Sequence, residues 1–291
     1  MTEIALQRLS GALGARVDGV DLERASGKSI DAIKAALARH KVLVLHDQRL
    51  DAEELLAFGR AFGEPEVHTF FPTLGDGLEQ VTVLDSRAGY RSNRWHADET
   101  FLAAPPIITM LHAQEIPEYG DDTLWTDMEL AFDALSPRLR EYIDGLTAVH
   151  DIALQGERDV QLGKNDPAWV AELISLGHRV EHPVVRRHPV TGIRSLYVNP
   201  VYTRFLVGVP PEENELILPY LFRHCTNPHF VYRHRWREGD VVIWDNRTTL
   251  HLAVDAYQGA RRMHRVSILE NPNVATRRLS YTPVSAPPHA D

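Results

Sequence analysis

Cysteine is all but missing from this chain: Cys225 is the one thiol in 291 residues. A single thiol excludes an intrachain disulfide and any thiolate zinc cluster, and it suits a reducing compartment. Long apolar runs are missing as well, and no stretch approaches membrane-spanning length. The opening residues, Met1-Thr2-Glu3-Ile4, lack the basic and apolar regions of a secretory signal, so a cytoplasmic protein is expected. Positive charge is in short supply, with 31 Lys and Arg against 40 Asp and Glu, a net charge of −9. That balance argues against nucleic acid or an anionic membrane as partner, and it requires any anion site to be a local cluster. No glycine-rich dinucleotide turn follows the early strands, and no internal repeat is visible.

What is present is an ordinary globular composition, 44% hydrophobic and 24% charged. A chain this long buries about three quarters of its unfolded surface without a staple, and one domain over 1–291 is expected. Residues 4–22 read as short strands punctuated by glycine. A helix starts near Ser29, with Ile30, Ile33 and Leu37 as its stripe. A buried strand over 42–45 follows, then a helix capped by Asp51 with Glu54 in the capping-box position. Strands are expected at 81–84, through His96 and at 107–113. A helical insertion is expected at about 124–178, with Ser136-Pro137 as cap and first-turn proline. The polar stretch 155–166 reads either as a mobile loop able to cover a site or as a plain surface connection. Strands resume at 182–185 and 195–198, and a helix at 212–224 should kink or restart at Pro219. Residues 230–236 and 241–244 form a hairpin-like pair, and 261–269 the last strand. The pattern is mainly β with helical decoration (α+β), of sandwich or jelly-roll type.

Chemistry first shows in Arg94-Trp95-His96-Ala97-Asp98-Glu99-Thr100-Phe101. Its aromatic residues and lack of helical spacing predict an extended strand, on which His96 and Asp98 share a face. An imidazole beside a carboxylate is two thirds of the 2-His-1-carboxylate set that holds non-haem Fe(II). With 15 histidines in the chain, a lone His-X-Asp carries little weight. His251 in Trp244-Asp245-Asn246-Arg247-Thr248-Thr249-Leu250-His251 is the candidate third ligand; the alternative is a hydrogen-bonded structural histidine. In Ala260-Arg261-Arg262-Met263-His264-Arg265-Val266, strand parity puts Arg261, Met263 and Arg265 on one face and Arg262 and His264 on the other. Two guanidiniums turned into a core need anions, and arginine suits carboxylate or sulfonate. Salt bridges to core carboxylates, or a solvated face, are the alternatives. A slip of one residue would exchange Arg261 for Arg262.

The whole pattern resembles the taurine / 2,4-dichlorophenoxyacetate dioxygenase (TauD/TfdA) family of Fe(II)- and 2-oxoglutarate-dependent oxygenases. The resemblance runs over nearly the full length. It rests on Leu13-Gly14-Ala15 through Gly19-Val20-Asp21-Leu22, Phe62-Gly63-Glu64-Pro65, Trp95-His96-Ala97-Asp98, Gly120-Asp121-Asp122-Thr123, Val198-Asn199, Trp244-Asp245-Asn246-Arg247 and Met263-His264-Arg265. It implies a double-stranded β-helix (jelly-roll) core. It implies that His96, Asp98 and His251 hold Fe(II), and that Thr123 and Arg261 bind the far carboxylate of 2-oxoglutarate. O2-dependent decarboxylation would then yield succinate and CO2, with hydroxylation of a substrate C–H. Related halogenases lack the carboxylate, so Asp98 favours hydroxylation.

In taurine-oxidising relatives the sulfonate meets a histidine, an arginine and a backbone N–H just after the metal aspartate. The matching positions are His68, Arg265 and the amide of Glu99. The chain departs from that pattern at Phe71, where those relatives carry tyrosine, and at Ser92, where they carry asparagine. Both changes remove hydrogen-bonding groups for an ammonium, and Phe71 and Tyr202 are expected to line an apolar pocket. The implied substrate is a small anionic organic molecule: a sulfonate such as taurine, a sulfate ester, or an aryloxy- or alkyl-carboxylate. A non-catalytic or differently metallated cupin-like jelly-roll binder is the alternative, and it would need the triad but not Thr123 and the arginine pair. An oxygenase of protein or nucleic-acid side chains is a further class, and the net charge disfavours the nucleic acid. A homo-oligomer, dimer or tetramer, is compatible with the resemblance, although no interface signature is visible.

Overall fold

Period-two alternation in neighbouring strands builds the centre of the molecule. In Val42–Leu45 and Val241–Asp245 every residue is buried, because both faces are covered. Val42, Val44, Val242 and Trp244 turn inward with Leu111, Ala113 and Met263 and pack on Trp125 and Trp236. Leu43, Leu45, Val241 and Ile243 turn outward with Met110, Val266 and Ile268. Two helices, Gly27–His40 and Ala52–Arg60, cover that outward face with Ile33, Leu37, Leu55 and Phe58. The second helix begins with the capping box expected from Asp51 and Glu54, each side chain accepting the other's N–H at 2.8 Å.

The computed structural model describes residues 4–68, 71–88, 93–163 and 166–270. Its larger sheet has eight strands, ordered Ala5–Arg8, Ala15–Asp18, Val42–Leu45, Val241–Asp245, Ile108–Glu115, Arg262–Leu269 and Glu64–Pro65, with Thr82–Asp85 also paired to Arg262–Leu269. Facing it is a three-stranded sheet, Val231–His234, Thr123–Asp127 and Thr249–Ala253. These two sheets enclose the jelly-roll interior, and the candidate ligands lie between them. A second apolar cluster, with Phe132, Ile143, Leu196, Leu206, Leu221 and Leu250, packs helices and short strands on the back of the smaller sheet.

Several sequence expectations change. Segments 230–236 and 241–244 do not pair with each other: Val231–His234 pairs with Thr123–Asp127, while Val241–Asp245 enters the middle of the larger sheet. An all-apolar strand needs cover on both faces, which a hairpin at the sheet edge would not provide. The segment 124–178 is not purely helical, since the strand Thr147–Asp151 lies between its helices. The stretch expected as a loop at 155–166 is mostly the helix Ala153–Gln161, with residues 164 and 165 outside the described residues. Ion pairs Arg94–Asp159 (2.8 Å) and Arg204–Glu157 (2.6 Å) tie this helix down. Gly156 lets it approach the helix Pro167–Ser175, where a Cβ would meet Val170 at 2.9 Å. The helix Pro211–Cys225 does not restart at Pro219 but continues through that exposed residue. Among the described residues no helix is long and apolar enough to cross a membrane.

Gly120 sits at φ 87°, where a Cβ would stand 2.3 Å from the Ala256 carbonyl oxygen. The chain can make this turn, and so deliver Asp121 and Thr123, only with glycine there. Gly120→Ala is expected to destabilise by about 1–3 kcal/mol, read as a drop in thermal midpoint.

Candidate metal and co-substrate site

His96 and His251 meet through one isolated antiparallel bridge. His96 N–H donates to His251 O (2.9 Å) and His251 N–H to His96 O (2.7 Å), which brings the ring centroids to 4.1 Å. The strand expected around His96 is therefore one bridge long. Beyond it the chain turns at 98–100, with Glu99 at φ 52°. Asn246 holds that turn, its Oδ1 accepting the Asp98 N–H (2.8 Å) and its Nδ2 donating to the Asp98 and Pro106 carbonyls (3.0 and 2.8 Å). Asp98 Oδ1 consequently lies 3.7 Å from Nε2 of both His96 and His251.

These three side chains suit a divalent metal. All are buried, and their ligand atoms lie within 4.8 Å of one another. In the tautomer with the proton on Nδ1, His96 donates to the Arg94 carbonyl (2.8 Å) and keeps its Nε2 lone pair toward Asp98. Burial, with His96 beside it, pulls His251 down to about 3, so it stays a neutral donor. Burial alone would raise Asp98, but His251, Arg265, His96 and the Thr109 hydroxyl together hold it at about 2. Two imidazole nitrogens and a carboxylate oxygen, drawn together from three chain segments, form the 2-His-1-carboxylate set.

Arg261 and Thr123 both border Trp236 at a second place in the interior. The Trp236 indole N–H donates to Thr123 Oγ1 (2.9 Å), which fills an acceptor site of that oxygen and leaves its own O–H to point elsewhere. The Arg261 guanidinium sits 5.9 Å from the Trp236 ring, and its Nε is 3.8 Å from Asp121 Oδ2. Arg261 Nε is buried without a hydrogen-bond partner among the described residues. A guanidinium short of acceptors near a hydroxyl donor has the chemistry to receive a carboxylate. Arg262 instead lies opposite Asp85 and Glu115 in the strand ladders.

Arg265 lies on the same strand nearer the triad, with Nη1 3.8 Å from Asp98 Oδ1 and the Phe71 ring 5.4 Å from its Cζ. His68 packs at a tilt against Phe71, ring centroids 4.7 Å apart, and its Nδ1 accepts the Phe71 N–H (3.1 Å). Its Nε2–H therefore donates to Glu99 Oε1 at 3.0 Å. Burial, with Arg265 nearby, lowers His68 to about 4, so this contact is a neutral hydrogen bond rather than an ion pair. Glu66 adjoins them, pushed up to about 9 by burial and by the Glu99 carboxylate, and is held as the neutral acid. Tyr202 packs edge-on to Phe101 at 5.0 Å. Ser92 lies outside the described residues. Sequence reading named Glu99 for its amide and missed its carboxylate. It also missed Glu66, Thr109, Asp121 and Trp236. Asn246 and Asp121 stand inside quoted motifs, and that position was the available signal.

The model of the taurine catabolism dioxygenase TauD, TfdA family matches residues 5–267. The chain belongs to this family. An alkylsulfatase of Acinetobacter baylyi is 36% identical over 271 residues, covering 90% of this chain and 84% of the relative. An alpha-ketoglutarate-dependent sulfate ester dioxygenase of Pseudomonas putida is 36% identical over 271 residues, 90% of this chain and 88% of its own length. A solved structure of a taurine dioxygenase from Burkholderia xenovorans superposes with TM-score 0.79 at 35% identity, covering 93% of this chain and 92% of that one. This TauD/TfdA protein is thus a dioxygenase with a jelly-roll core, dependent on 2-oxoglutarate and O2 at a metal centre and acting on a small organic molecule.

Behind the turn after Asp98, His182 Nε2–H is shared between the Thr100 and Leu102 carbonyls at 2.9 Å each. Burial, aided by Arg186, lowers His182 to about 4 from 6.5. Between those values the unfolded chain takes up a proton that the folded one refuses, so stability is full above 6.5 and falls as pH drops toward 4. In chelator-treated protein, His182→Gln should flatten the fall in thermal midpoint across that window; an unchanged slope would assign the pH response to other groups.

Proposed function

We propose that His96, Asp98 and His251 hold Fe(II), that Thr123 and Arg261 hold the far carboxylate of 2-oxoglutarate, and that Arg265 receives the anionic group of a small sulfonate, sulfate ester or carboxylate. The observation that carries this reading is a pair of interior arginines, Arg265 in the strand Arg262–Leu269 and Arg261 immediately before it. Arg261 and Arg265 each have a buried Nε without a hydrogen-bond partner among the described residues, as does Arg262, but Arg261 is the one beside Asp121 and Trp236 and Arg265 the one beside Asp98. An acidic protein has no use for two such cations in its core unless anions arrive there.

When bound, Fe(II) and 2-oxoglutarate supply the O2 chemistry, with release of succinate and CO2 and hydroxylation of the substrate. The chain's residues supply position. Arg261 and the Thr123 hydroxyl anchor one end of the co-substrate so that its keto acid reaches the triad. Arg265 anchors the substrate on the other side of Asp98, so the carbon to be oxidised is presented by a charge-assisted contact rather than by shape alone. Phe71, Tyr202 and Phe101 provide apolar wall. The Glu99 carboxylate occupies the His68 donor, so Arg265 is the first contact of an entering anion, and His68 joins it only by exchanging Glu99. A sulfate ester is the favoured member of the class, supported by the named activities of the Acinetobacter and Pseudomonas relatives. Hydroxylation at the carbon bearing the heteroatom would release sulfate and an aldehyde or ketone.

His96→Ala and Asp98→Ala should abolish Fe(II) binding and O2-dependent succinate release while far-UV circular dichroism is unchanged. Arg261→Ala should raise KM for 2-oxoglutarate by about 10–100-fold, the loss of a charged hydrogen bond, and Arg262→Ala should leave it unaltered; the reverse result would exchange the two arginines. The reading as a whole is tested by succinate release across alkyl sulfates, alkyl sulfonates, taurine and aryloxyacetates. Alkyl sulfates should give the highest kcat/KM and Arg265→Ala should lose at least about tenfold of it, whereas turnover of uncharged analogues alone would overturn the anionic class.

A further inference from the structure

A carboxylate ligand has two oxygens, and in this site they are treated differently. Asp98 Oδ1 faces both histidine Nε2 atoms and Arg265. Asp98 Oδ2 faces away and accepts a hydrogen bond from Thr109 Oγ1 at 2.9 Å. Thr109 is fully buried, in the strand Ile108–Glu115, with Trp244 and Ser267 as its ladder neighbours on either side. A β-branched side chain in the middle of a sheet has little rotamer freedom, so the hydroxyl is held where it is. Asn246 meanwhile fixes the Asp98 backbone at both its N–H and its carbonyl. The carboxylate is therefore constrained at three points, one of them an oxygen that a metal ion could otherwise take.

Resting on the reading of His96, Asp98 and His251 as metal ligands, we propose that Thr109 is a positioning residue that confines Asp98 to one-oxygen coordination. Carboxylates bind divalent cations through one oxygen or two. The donor on Oδ2 satisfies that oxygen's need for a partner in a dry interior and turns it from the face shared by the two imidazoles. Three side chains then contribute one atom each. A six-coordinate ion keeps three positions for small molecules, enough for a chelating keto acid and one more. Without the hydroxyl, Oδ2 would be a buried acceptor with no partner, and swinging onto the cation would be its relief. One position would close, and the chelating co-substrate would compete with Asp98 for it.

The test uses the full chain, freed of metal by chelator and loaded with Co(II), whose visible absorption reports coordination. Thr109→Val keeps the shape and removes the hydroxyl; Thr109→Ser keeps the hydroxyl and removes a methyl. For Thr109→Val the Co(II) absorption should change, and calorimetry should show 2-oxoglutarate binding to the Co(II) protein weakened by about 10–100-fold, the usual scale for groups supporting a metal ligand. Thr109→Ser should match the parent in both. If the valine variant does not fold, Thr109→Ala makes the same comparison. A hydroxyl-free variant with parental spectrum and parental co-substrate affinity would overturn the proposal. So would equal losses in the valine and serine variants, which would point to packing. Failure of the parent protein to bind Co(II) would instead remove the metal reading on which the proposal rests.

Discussion

Burial of the Asp98 carboxylate is the constraint on which the rest of the interior depends. A lone carboxylate in such a place would take up a proton, yet this one is held ionised by His251, Arg265, His96 and the Thr109 hydroxyl. Each compensating group arrives from a different strand or turn. Thr109 and Arg265 come from the larger sheet, His251 from the smaller, and His96 from the segment bridged to it. The site is in this sense the seam of the jelly roll, and the two sheets must face each other correctly for the charge to be tolerated.

The same logic bears on the arginines that a chain of net charge −9 carries into its interior. Arg265 stands in the strand Arg262–Leu269 and Arg261 immediately ahead of it, and the two face different walls. Asp121 and Trp236 border the first; Asp98 and Phe71 border the second. Long-range charge would repel an anionic substrate, so recognition falls to contacts made inside the pocket, where water is scarce and charge-assisted hydrogen bonds are strong. Glu66 and Glu99 add a feature beyond bare anion recognition. One is held as a neutral acid and the other takes the His68 donor, so the wall of the pocket carries its own hydrogen-bonded acid pair beside Arg265.

Local features were legible in the chain because their causes are local. The Asp51–Glu54 capping box, the stripe of the Gly27–His40 helix and the buried strand Val42–Leu45 each follow from neighbours a few residues away. The types of residue at the site were also legible: two histidines, an aspartate, a threonine and alternating arginines. The stretch at 155–166 misled because its polarity was read as a loop. Its first part belongs to the helix Ala153–Gln161, which Asp159 and Glu157 tie to arginines far away in the chain.

By itself, then, the sequence determined which chemistry the protein could perform, since ligand identity is a property of residue order. Only the tertiary structure decided how that chemistry is arranged. Val231–His234 and Val241–Asp245 look like partners in sequence but go to opposite sheets, because a strand apolar on both faces must be covered on both. Asp98 reaches the histidines by a turn clamped through Asn246, 148 residues away, rather than by strand periodicity. Its Oδ2 is assigned to Thr109 through the register of a neighbouring strand. Register and facing are collective outcomes of packing, and no local run of residues encodes them.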